Sequence, residues 1–320
     1  MESGLITSSK ESVPGTLFCQ PWWLDAVAPN SWDEVVIEQN GEFLARMPYV
    51  TRKKRRKTKI FMPSLTQTLG PTLRPSEAKY TNRLSEEKRL MTELIERLPH
   101  FDHFLQNFHY SITNWLPFYW KGFRQTTRYT YVLEDLSHPE AIFGDFRENI
   151  RREIRKAQKQ GIQIRDDLGI DAFVRVHEAT FERQDMKMPY SKEFIKRVDE
   201  ACTAHNARKM FFAVDKSNDL HAAAYIVWDK ESAYYLMGGG DPALRSSGAT
   251  SLTMWGAIQF AATVTKRFDF EGSMLESVER YFRAFGGRQM PYFQIAKQGP
   301  PTSKMRDYLA KPIRIFKPKS

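Results

Sequence analysis

Two carboxylates, Asp269 and Glu271, are the residues of this chain best placed to move a proton. They alternate with phenylalanines, so a strand over residues 267–272 points both carboxylates to one face. A carboxylate at the open end of a sheet can take a proton from an amine, directly or through water. We predict Glu271, nearer the C-terminal end of this strand, as the base or the group that binds the amine, with Asp269 as the second candidate. Ion pairs with nearby arginines are the structural alternative.

A loop rich in small residues precedes these carboxylates. The pattern predicts a strand over residues 233–237, a loop over 238–248 and a helix over 249–265. The first backbone N–H groups and the positive dipole end of a helix favour a phosphate or a developing oxyanion. We predict that the residues at this junction hold the phosphates of a donor molecule: Arg245, Ser246, Ser247, Gly248, Ala249 and Thr250. The alternative is an ordinary polar turn capped by one of the serines.

Two basic segments favour a phosphate-rich partner. The first runs from residue 52 to 59, where seven of eight residues are basic, and is predicted to form a hairpin tip between strands. The second is a predicted helix over residues 143–160. The residues we assign to such contacts are Arg52, Lys53, Lys54, Arg55, Arg56, Lys57, Arg151, Arg152 and Arg155. The candidate partners are tRNA, a lipid-linked phosphate and acidic lipid headgroups; the alternative is charge that only water solvates.

The composition indicates a globular protein with an anionic partner. The chain has 320 residues, 41% of them hydrophobic, and a formal net charge of +10. Two cysteines build no disulfide framework, and the seven histidines lack ligand spacing, so we expect no metal. No apolar run is long enough to span a membrane, and the first 16 residues lack the apolar core of a secretory signal. We therefore expect a cytoplasmic protein, with the inner membrane surface as a further possible location.

The two halves of the chain repeat one order of elements. The second half is predicted as β, α, α, β, β, β, α, β, α, β, and the first half repeats the tail of this order. Gly122-Phe-Arg-Gln125 matches Gly286-Gly-Arg-Gln289 at an offset of 164 residues. We predict a duplication with a first domain over residues 1–139, a basic linker helix over 140–161 and a second domain over 162–320.

Several segments resemble the Gcn5-related N-acetyltransferase (GNAT) fold and, more narrowly, the Fem-like family. They are residues 42–48 with Gln67-Thr-Leu-Gly-Pro71, residues 149–157 with Gly161, residues 268–274, and residues 282–287. The resemblance implies an α/β protein with two tandem acetyltransferase-like domains whose mixed sheets are mostly antiparallel. It also implies a cytoplasmic acyl or aminoacyl transferase that acts on an amine. In the best-known members of this family the amine belongs to a peptidoglycan precursor and the donor is aminoacyl-tRNA.

The same resemblance assigns roles around the loop. Its acyl-CoA motif, Gln/Arg-x-x-Gly-x-Gly/Ala, matches Arg245 and Gly248, whereas Thr250 stands where Gly or Ala is expected. In this fold the strand before the helix splays from its neighbour, so backbone N–H groups of Met237, Gly238 and Gly239 are assigned to the acyl carbonyl. A turn is the alternative role for these glycines.

Three functions follow from these assignments. The first is an N-acyltransferase with acyl-CoA as co-substrate and an amine acceptor. The second is an aminoacyl-tRNA-dependent peptidyltransferase acting on a cell-wall precursor, although the long helical-hairpin arm of many such members is missing from this sequence. The third is a non-catalytic protein of degenerate GNAT fold that binds nucleic acid or a membrane surface.

Overall fold

The structure of the chain is a computed structural model that describes residues 14–55, 57–183, 185–272 and 274–298. Within these ranges the strands are β1 (Trp32–Gln39), β2 (Glu42–Lys54), β3 (Lys57–Phe61), β4 (Thr72–Leu73), β5 (His103–Asn107), β6 (Arg124–Leu133), β7 (Gln163–Arg165), β8 (Arg208–Val214), β9 (Leu220–Trp228), β10 (Ser232–Gly240), β11 (Arg267–Asp269) and β12 (Arg288–Gln298). The α-helices are α1 (Pro21–Val27), α2 (Tyr80–Arg97), α3 (Leu116–Trp120), α4 (Pro139–Asp145), α5 (Glu148–Lys159), α6 (Ile170–Glu182), α7 (Lys192–Ala204), α8 (Ala249–Val264) and α9 (Glu276–Arg283).

One continuous mixed sheet joins both halves of the chain. Its order is β1-β2-β3-β5-β12-β6-β11-β10-β9-β8-β7, with β4 beside β2. The pairs β3–β5 and β10–β11 are parallel, and the other pairs are antiparallel. The halves exchange strands at the centre, because β12 lies beside β5 of the first half and β6 lies beside β11 of the second.

The register of the central pair contains the offset of the matching motifs, and the duplication itself stays a prediction. Arg128 of β6 lies opposite Tyr292 of β12, and these residues are 164 positions apart, the same offset as the matching motifs. Gln125 lies opposite Ile295, and Tyr131 lies opposite Gln289. At the offset of 164, Gln125 corresponds to Gln289 and Tyr131 corresponds to Ile295. The offset therefore relates one of these two pairs to the other.

Helices cover both faces of the second half of the sheet. On one face α6 and α7 pack with α1 and the segment before it, in a core that includes Phe173, Tyr225 and Tyr234. On the other face α5 and α8 pack around Phe268 and Phe270. The first half has a third core, centred on α2 and its strands. Successive residues of β11 thus point to opposite faces of the sheet, with Phe268 in one core and Asp269 on the other face.

The predicted helix over residues 143–160 is wrong as a single element. The chain leaves the helical conformation at Phe146 and Arg147, whose ψ angles are 142° and 147°. Phe146 turns into the core and packs edge-on against Trp255 and Phe285. This anchoring separates α4 from α5.

The predicted loop over residues 238–248 is wrong in its first part. Gly238–Gly240 continue β10 and pair with Ala224–Ala222 of β9. Their lack of a side chain serves packing: a Cβ on Gly239 would lie 2.6 Å from the carbonyl oxygen of Val176 in α6. The basic run is likewise mostly strand, because β2 extends to Lys54 and β3 begins at Lys57. The sequence pattern also missed β6.

Candidate active site

An opening between β10 and β11 is the centre of the candidate site. The two strands pair only from Ser232 with Arg267 to Tyr234 with Asp269. Beyond that point β11 ends, whereas β10 continues to Gly240 with a bulge between Tyr235 and Met237. The splay expected from the family resemblance is therefore present in this chain.

Glu271 lies at the mouth of this opening. Its φ is +58°, in the left-handed region, and the next residue, Gly272, also has positive φ. A Cβ on Gly272 would lie 2.3 Å from the carbonyl oxygen of Tyr129, so the chain turns tightly against β6 here. The predicted strand over residues 267–272 is thus too long, since β11 ends at Asp269.

Glu271 is half-buried as a residue, but its carboxylate Oε1 atom is inaccessible to solvent and incompletely bonded. Its Oε1 atom has no hydrogen-bond partner within the described chain. Burial, with a smaller contribution from the negative charge of Asp269, raises the pKa of Glu271 well above its ordinary value. A carboxylate in this environment binds a proton more tightly than an exposed one does.

Asp269 holds the backbone of Glu271. Its carboxylate accepts a hydrogen bond from the backbone N–H of Glu271 at 2.7 Å and another from the Thr130 hydroxyl, and the Gln67 side chain lies beside it. The residue is 1% exposed, and burial raises the pKa of Asp269 to about 6. These contacts make Asp269 a positioning group for Glu271.

Neither carboxylate forms an ion pair within the described residues. The arginines that the sequence offered as partners have other contacts: Arg280 pairs with Glu276 and Arg283 with Glu279. The surroundings of Asp269 and Glu271 are therefore those of buried acids.

His177 and Tyr190 belong to the same region and were missed by the sequence analysis. His177 Nδ1 lies 2.8 Å from the carbonyl oxygen of Gly238, and Nε2 lies 2.9 Å from the Tyr190 hydroxyl. Burial lowers the pKa of His177, so the neutral ring donates from Nδ1 and accepts the Tyr190 O–H at Nε2. Burial and the nearby charge of Glu271 raise the pKa of Tyr190. A His on a helical face with apolar neighbours gave no signal of this role.

Met237, Gly238 and Gly239 line β10 beyond the point where it leaves β11. The carbonyl of Gly238 is taken by His177, and the N–H of Gly240 donates to the Thr180 hydroxyl at 3.2 Å. Helix α6 therefore fixes this stretch of backbone. The assignment of its N–H groups to an acyl carbonyl remains a prediction.

The predicted phosphate loop lies at the start of α8. Arg245–Ser247 form a 3-10 turn, Gly248 has a φ of +82°, and α8 begins at Ala249. The side chains of Arg245, Ser246 and Thr250 are exposed. The hydroxyl of Thr250 faces Gly240, where an added Cβ would lie 3.4 Å away.

Gly248 has a packing role. A Cβ there would lie 2.3 Å from the carbonyl oxygen of Glu153 in α5. Lys156 of the same helix donates to the carbonyl oxygen of Ser246 at 2.6 Å. The basic helix α5 is thus attached directly to the loop.

A chain of polar side chains fixes the loop from the other side. Ser247 Oγ accepts from the backbone N–H of Ala249 at 3.3 Å and lies 3.0 Å from His221 Nδ1. His221 Nε2 lies 3.1 Å from the carboxylate of Asp215, which also caps the turn between β8 and β9. The buried Ser247 is thus a support of the loop, while the exposed residues face outward.

The two basic segments lie at the same end of the sheet strands. Arg152, Arg155, Lys156 and Lys159 line a shallow concave surface on α5. Arg151 differs, since it bonds to Glu148 and to the carbonyl oxygen of Gly144. The strand pairings make β2 and β10 run in the same direction. The β2–β3 hairpin therefore lies at the end of the sheet where β10 also ends. Five strand spacings separate β3 from β10, roughly 24 Å.

The predicted contact residues of the hairpin differ in their positions and contacts. Lys53 and Lys54 lie on β2 and are exposed, and Arg55 lies at the turn. The Arg52 guanidinium packs on the Phe61 ring, and Lys57 opens β3. Arg56 lies outside the described residues.

Comparisons with known proteins match a part of this chain to a known domain family. Residues 144–283 match the acetyltransferase (GNAT) domain family. The match covers 140 of the 320 residues and shows a GNAT domain in the second half of the chain. No curated protein matches it.

Solved structures share the GNAT fold over most of the chain. FemX is similar at a TM-score of 0.67 and 12% identity, covering 88% of this chain and 93% of FemX. A tandem GNAT protein from the clavulanic acid biosynthesis pathway is similar at 0.50 and 9%, covering 88% and 87%. The C-terminal domain of an assigned lysylphosphatidylglycerol synthetase from Agrobacterium fabrum is similar at 0.50 and 14%, covering 87% and 90%.

The described residues contain no group of three or more His, Cys, Asp or Glu side chains placed to hold a metal ion. None of the helices in those ranges is long and apolar enough to cross a membrane.

Proposed function

We propose that this protein is a GNAT-type acyltransferase that moves an acyl group from acyl-CoA to an amine, with Glu271 as the proton acceptor. The observation that carries the proposal is the buried Oε1 atom of Glu271 at the splay of β10 and β11, which has no hydrogen-bond partner among the described residues. An amine must lose a proton to become acylated, and a buried carboxylate with a raised pKa is suited to take it.

The loop before α8 fits the phosphates of the donor. The first N–H groups of a helix have no intrahelical acceptor, and here only that of Ala249 is bonded to a side chain, Ser247. Arg245 is exposed beside these groups, and Lys156 and Arg152 of α5 add positive charge. The donor supplies an activated acyl carbonyl when it binds. Backbone N–H groups of residues 237–239 are proposed to orient that carbonyl.

The acceptor amine is proposed to approach past Tyr190. The connection between α6 and α7 forms a concave surface beside Tyr190 that includes Glu178, Met186 and Met188. Tyr190 and His177 are fixed by their mutual hydrogen bond. In this proposal both side chains shape the path to Glu271 and keep their positions while the proton is transferred.

A second donor, aminoacyl-tRNA, is favoured by one specific observation. The hairpin and α5 both present positive charge at the end of the sheet where β10 ends, and a CoA molecule at α8 does not require the distant hairpin. A polyanion of tRNA size would contact both. The cytoplasm or the inner face of a membrane is the proposed location for either donor.

One experiment separates these donors. Purified protein is incubated with acetyl-CoA, longer acyl-CoAs or charged tRNA, and both melting temperature and acyl transfer to a panel of amines are measured. Stabilisation and transfer with an acyl-CoA would establish the first donor. Transfer from charged tRNA alone would replace it with the second.

The tRNA alternative has a matched test. Replacing Arg52 and Lys54 by Gln should weaken tRNA binding and reduce the slope of log affinity against log salt by about 1 to 2. Replacing Lys230 and Lys266, at the opposite edge of the sheet, removes the same charge and should change the slope little. Equal slopes in both variants would exclude the hairpin as an RNA contact.

A further inference from the structure

A cavity between the two halves lies apart from the candidate active site. It has a volume of about 670 Å³, and its walls come from residues 68–76, His109 and residues 111–114 of the first half and from Ser232, Tyr234 and Arg267 of the second. Arg267 is the first residue of β11, so the cavity lies at the N-terminal end of this strand, whereas Glu271 lies beyond its C-terminal end. Its volume falls in the range of small-molecule sites.

Three polar atoms of cavity-lining residues have no hydrogen-bond partner in the described part of the chain. They are Thr68 Oγ1, His109 Nε2 and Asn114 Nδ2. Thr68 is 3% exposed. A buried donor without a partner costs about 1–3 kcal/mol, so three such atoms around one cavity indicate a ligand that satisfies them.

The hydrogen bonds of His109 show which nitrogen is free to donate. The backbone N–H of Ser111 donates to Nδ1 at 3.2 Å, so Nδ1 is an acceptor and the ring proton is on Nε2. Burial, together with the charge of Arg267, lowers the pKa of His109 to about 4, so the ring is neutral at neutral pH. All three partnerless atoms can therefore donate a hydrogen bond.

One cation at the cavity lies near Glu231 and the Tyr110 hydroxyl but forms no salt bridge within the described residues. Asp229 already accepts bonds from the backbone N–H groups of Leu17, Glu231 and Ser232 and from the Tyr234 hydroxyl. The other charged residues are paired: Glu231 with Lys266, Arg74 with Glu42, and Arg83 with Glu87. Arg267 forms no ion pair with any described carboxylate.

We infer that this cavity binds a small molecule through an oxyanion, a phosphate or carboxylate, held by Thr68, His109, Asn114 and Arg267. Three donors and a cation match an acceptor-only group with multiple oxygens. The apolar wall formed by Leu69, Met91 and Ile112 contacts the rest of the ligand. This inference does not depend on the proposed acyl transfer.

Calorimetry with inorganic phosphate and with succinate tests the site and separates the two oxyanions. Binding of one probe by the full chain is expected, and Asn114→Leu or Arg267→Gln should weaken it about tenfold or more. Lys216→Gln removes an exposed charge on the turn between β8 and β9, away from the cavity, and should leave the affinity within about twofold, whereas Arg245→Gln reports phosphate that binds at the loop before α8 instead. Absence of binding by both probes, or weakening only by Arg245→Gln, would overturn the inference.

Thr68→Val gives a readout that loss of structure cannot imitate. The substitution removes a buried hydroxyl without a partner and keeps the volume, so the melting temperature should hold or rise while probe affinity falls. Crystals soaked in tungstate, a heavy phosphate analogue, should show an anomalous peak within hydrogen-bond distance of His109 Nε2 and Asn114 Nδ2. Unchanged affinity in Thr68→Val, together with a peak only at α8, would contradict the site.

Discussion

Glu271 combines two features that stability alone does not favour. It adopts positive φ, which a residue with a side chain rarely does, and it buries a carboxylate oxygen without a partner. Such a residue is costly to the fold, and the catalytic role that we propose for Glu271 at the β10–β11 opening would explain that cost.

Replacing Glu271 by Gln tests that explanation. The amide keeps the size of the side chain but cannot accept the proton, so kcat should fall about 10²- to 10⁴-fold with little change in KM for the donor. In the wild type, kcat/KM should fall as pH decreases through the raised pKa of Glu271, since only the carboxylate is a base. Steady-state kinetics across pH provide the measurement, and full turnover in a stably folded variant would remove Glu271 from the mechanism.

Asp269 provides a stability test of the same buried pair. Its pKa rises from 3.8 to about 6 on folding, so folding favours the protonated form. This contribution is fully present below pH 3.8 and is lost as the pH rises through about 6. Relative to Asp269→Asn, the wild type should lose up to about 3 kcal/mol of unfolding free energy across that window.

Chemical denaturation of both proteins at several pH values measures this difference. The comparison uses the change with pH, because Asn also loses part of the bonding to Thr130 and to the Glu271 backbone at every pH. A difference independent of pH would show that Asp269 keeps an ordinary pKa.

At the scale of elements, the loop before α8 depends on its supports. Ser247→Ala and His221→Phe each break the chain from Asp215 to the helix start, so each should raise KM for the donor about three- to tenfold and spare kcat. The double variant should have the same KM for the donor as each single variant, since all three variants break the same chain of hydrogen bonds. Additive effects would mean that the two residues act separately.

Glycine positions in β10 give a second test at this scale. Gly239→Ala should destabilise the protein by about 1–3 kcal/mol, because the new methyl group meets the Val176 carbonyl of α6. Gly144→Ala in α4 meets no atom within 4 Å and should be neutral or stabilising. Equal stability of both variants would show that α6 has room to move.

Most elements could be predicted from the sequence, and the errors have physical causes. Apolar periodicity indicated α8, β8 and β9 because each buries its residues within one layer of the fold. Phe146 broke a helix that looked continuous, since its aromatic contacts come from distant residues. His177 and Tyr190 were equally invisible, because residue 190 reaches the site only through packing of the α6–α7 connection.

At the scale of the whole molecule, the exchange of β6 and β12 decides how the protein unfolds. Each half lacks the strand that completes its sheet, because β12 covers β5 and β6 covers β11. The exposed edges left by separation would be unpaired and prone to aggregation. Sequence order suggests two independent domains, but this topology makes their stability mutual.

Calorimetry of the full chain should therefore show one unfolding transition, with a calorimetric enthalpy close to the van't Hoff enthalpy. Destabilising the first half, for example by Phe104→Ala in its core, should lower the melting temperature of the entire protein. Because β12 pairs with both β5 and β6, loss of the first half removes the partners that hold β12 in the sheet. Two separate transitions, with the variant shifting only one, would show that the central strand pair does not couple the halves.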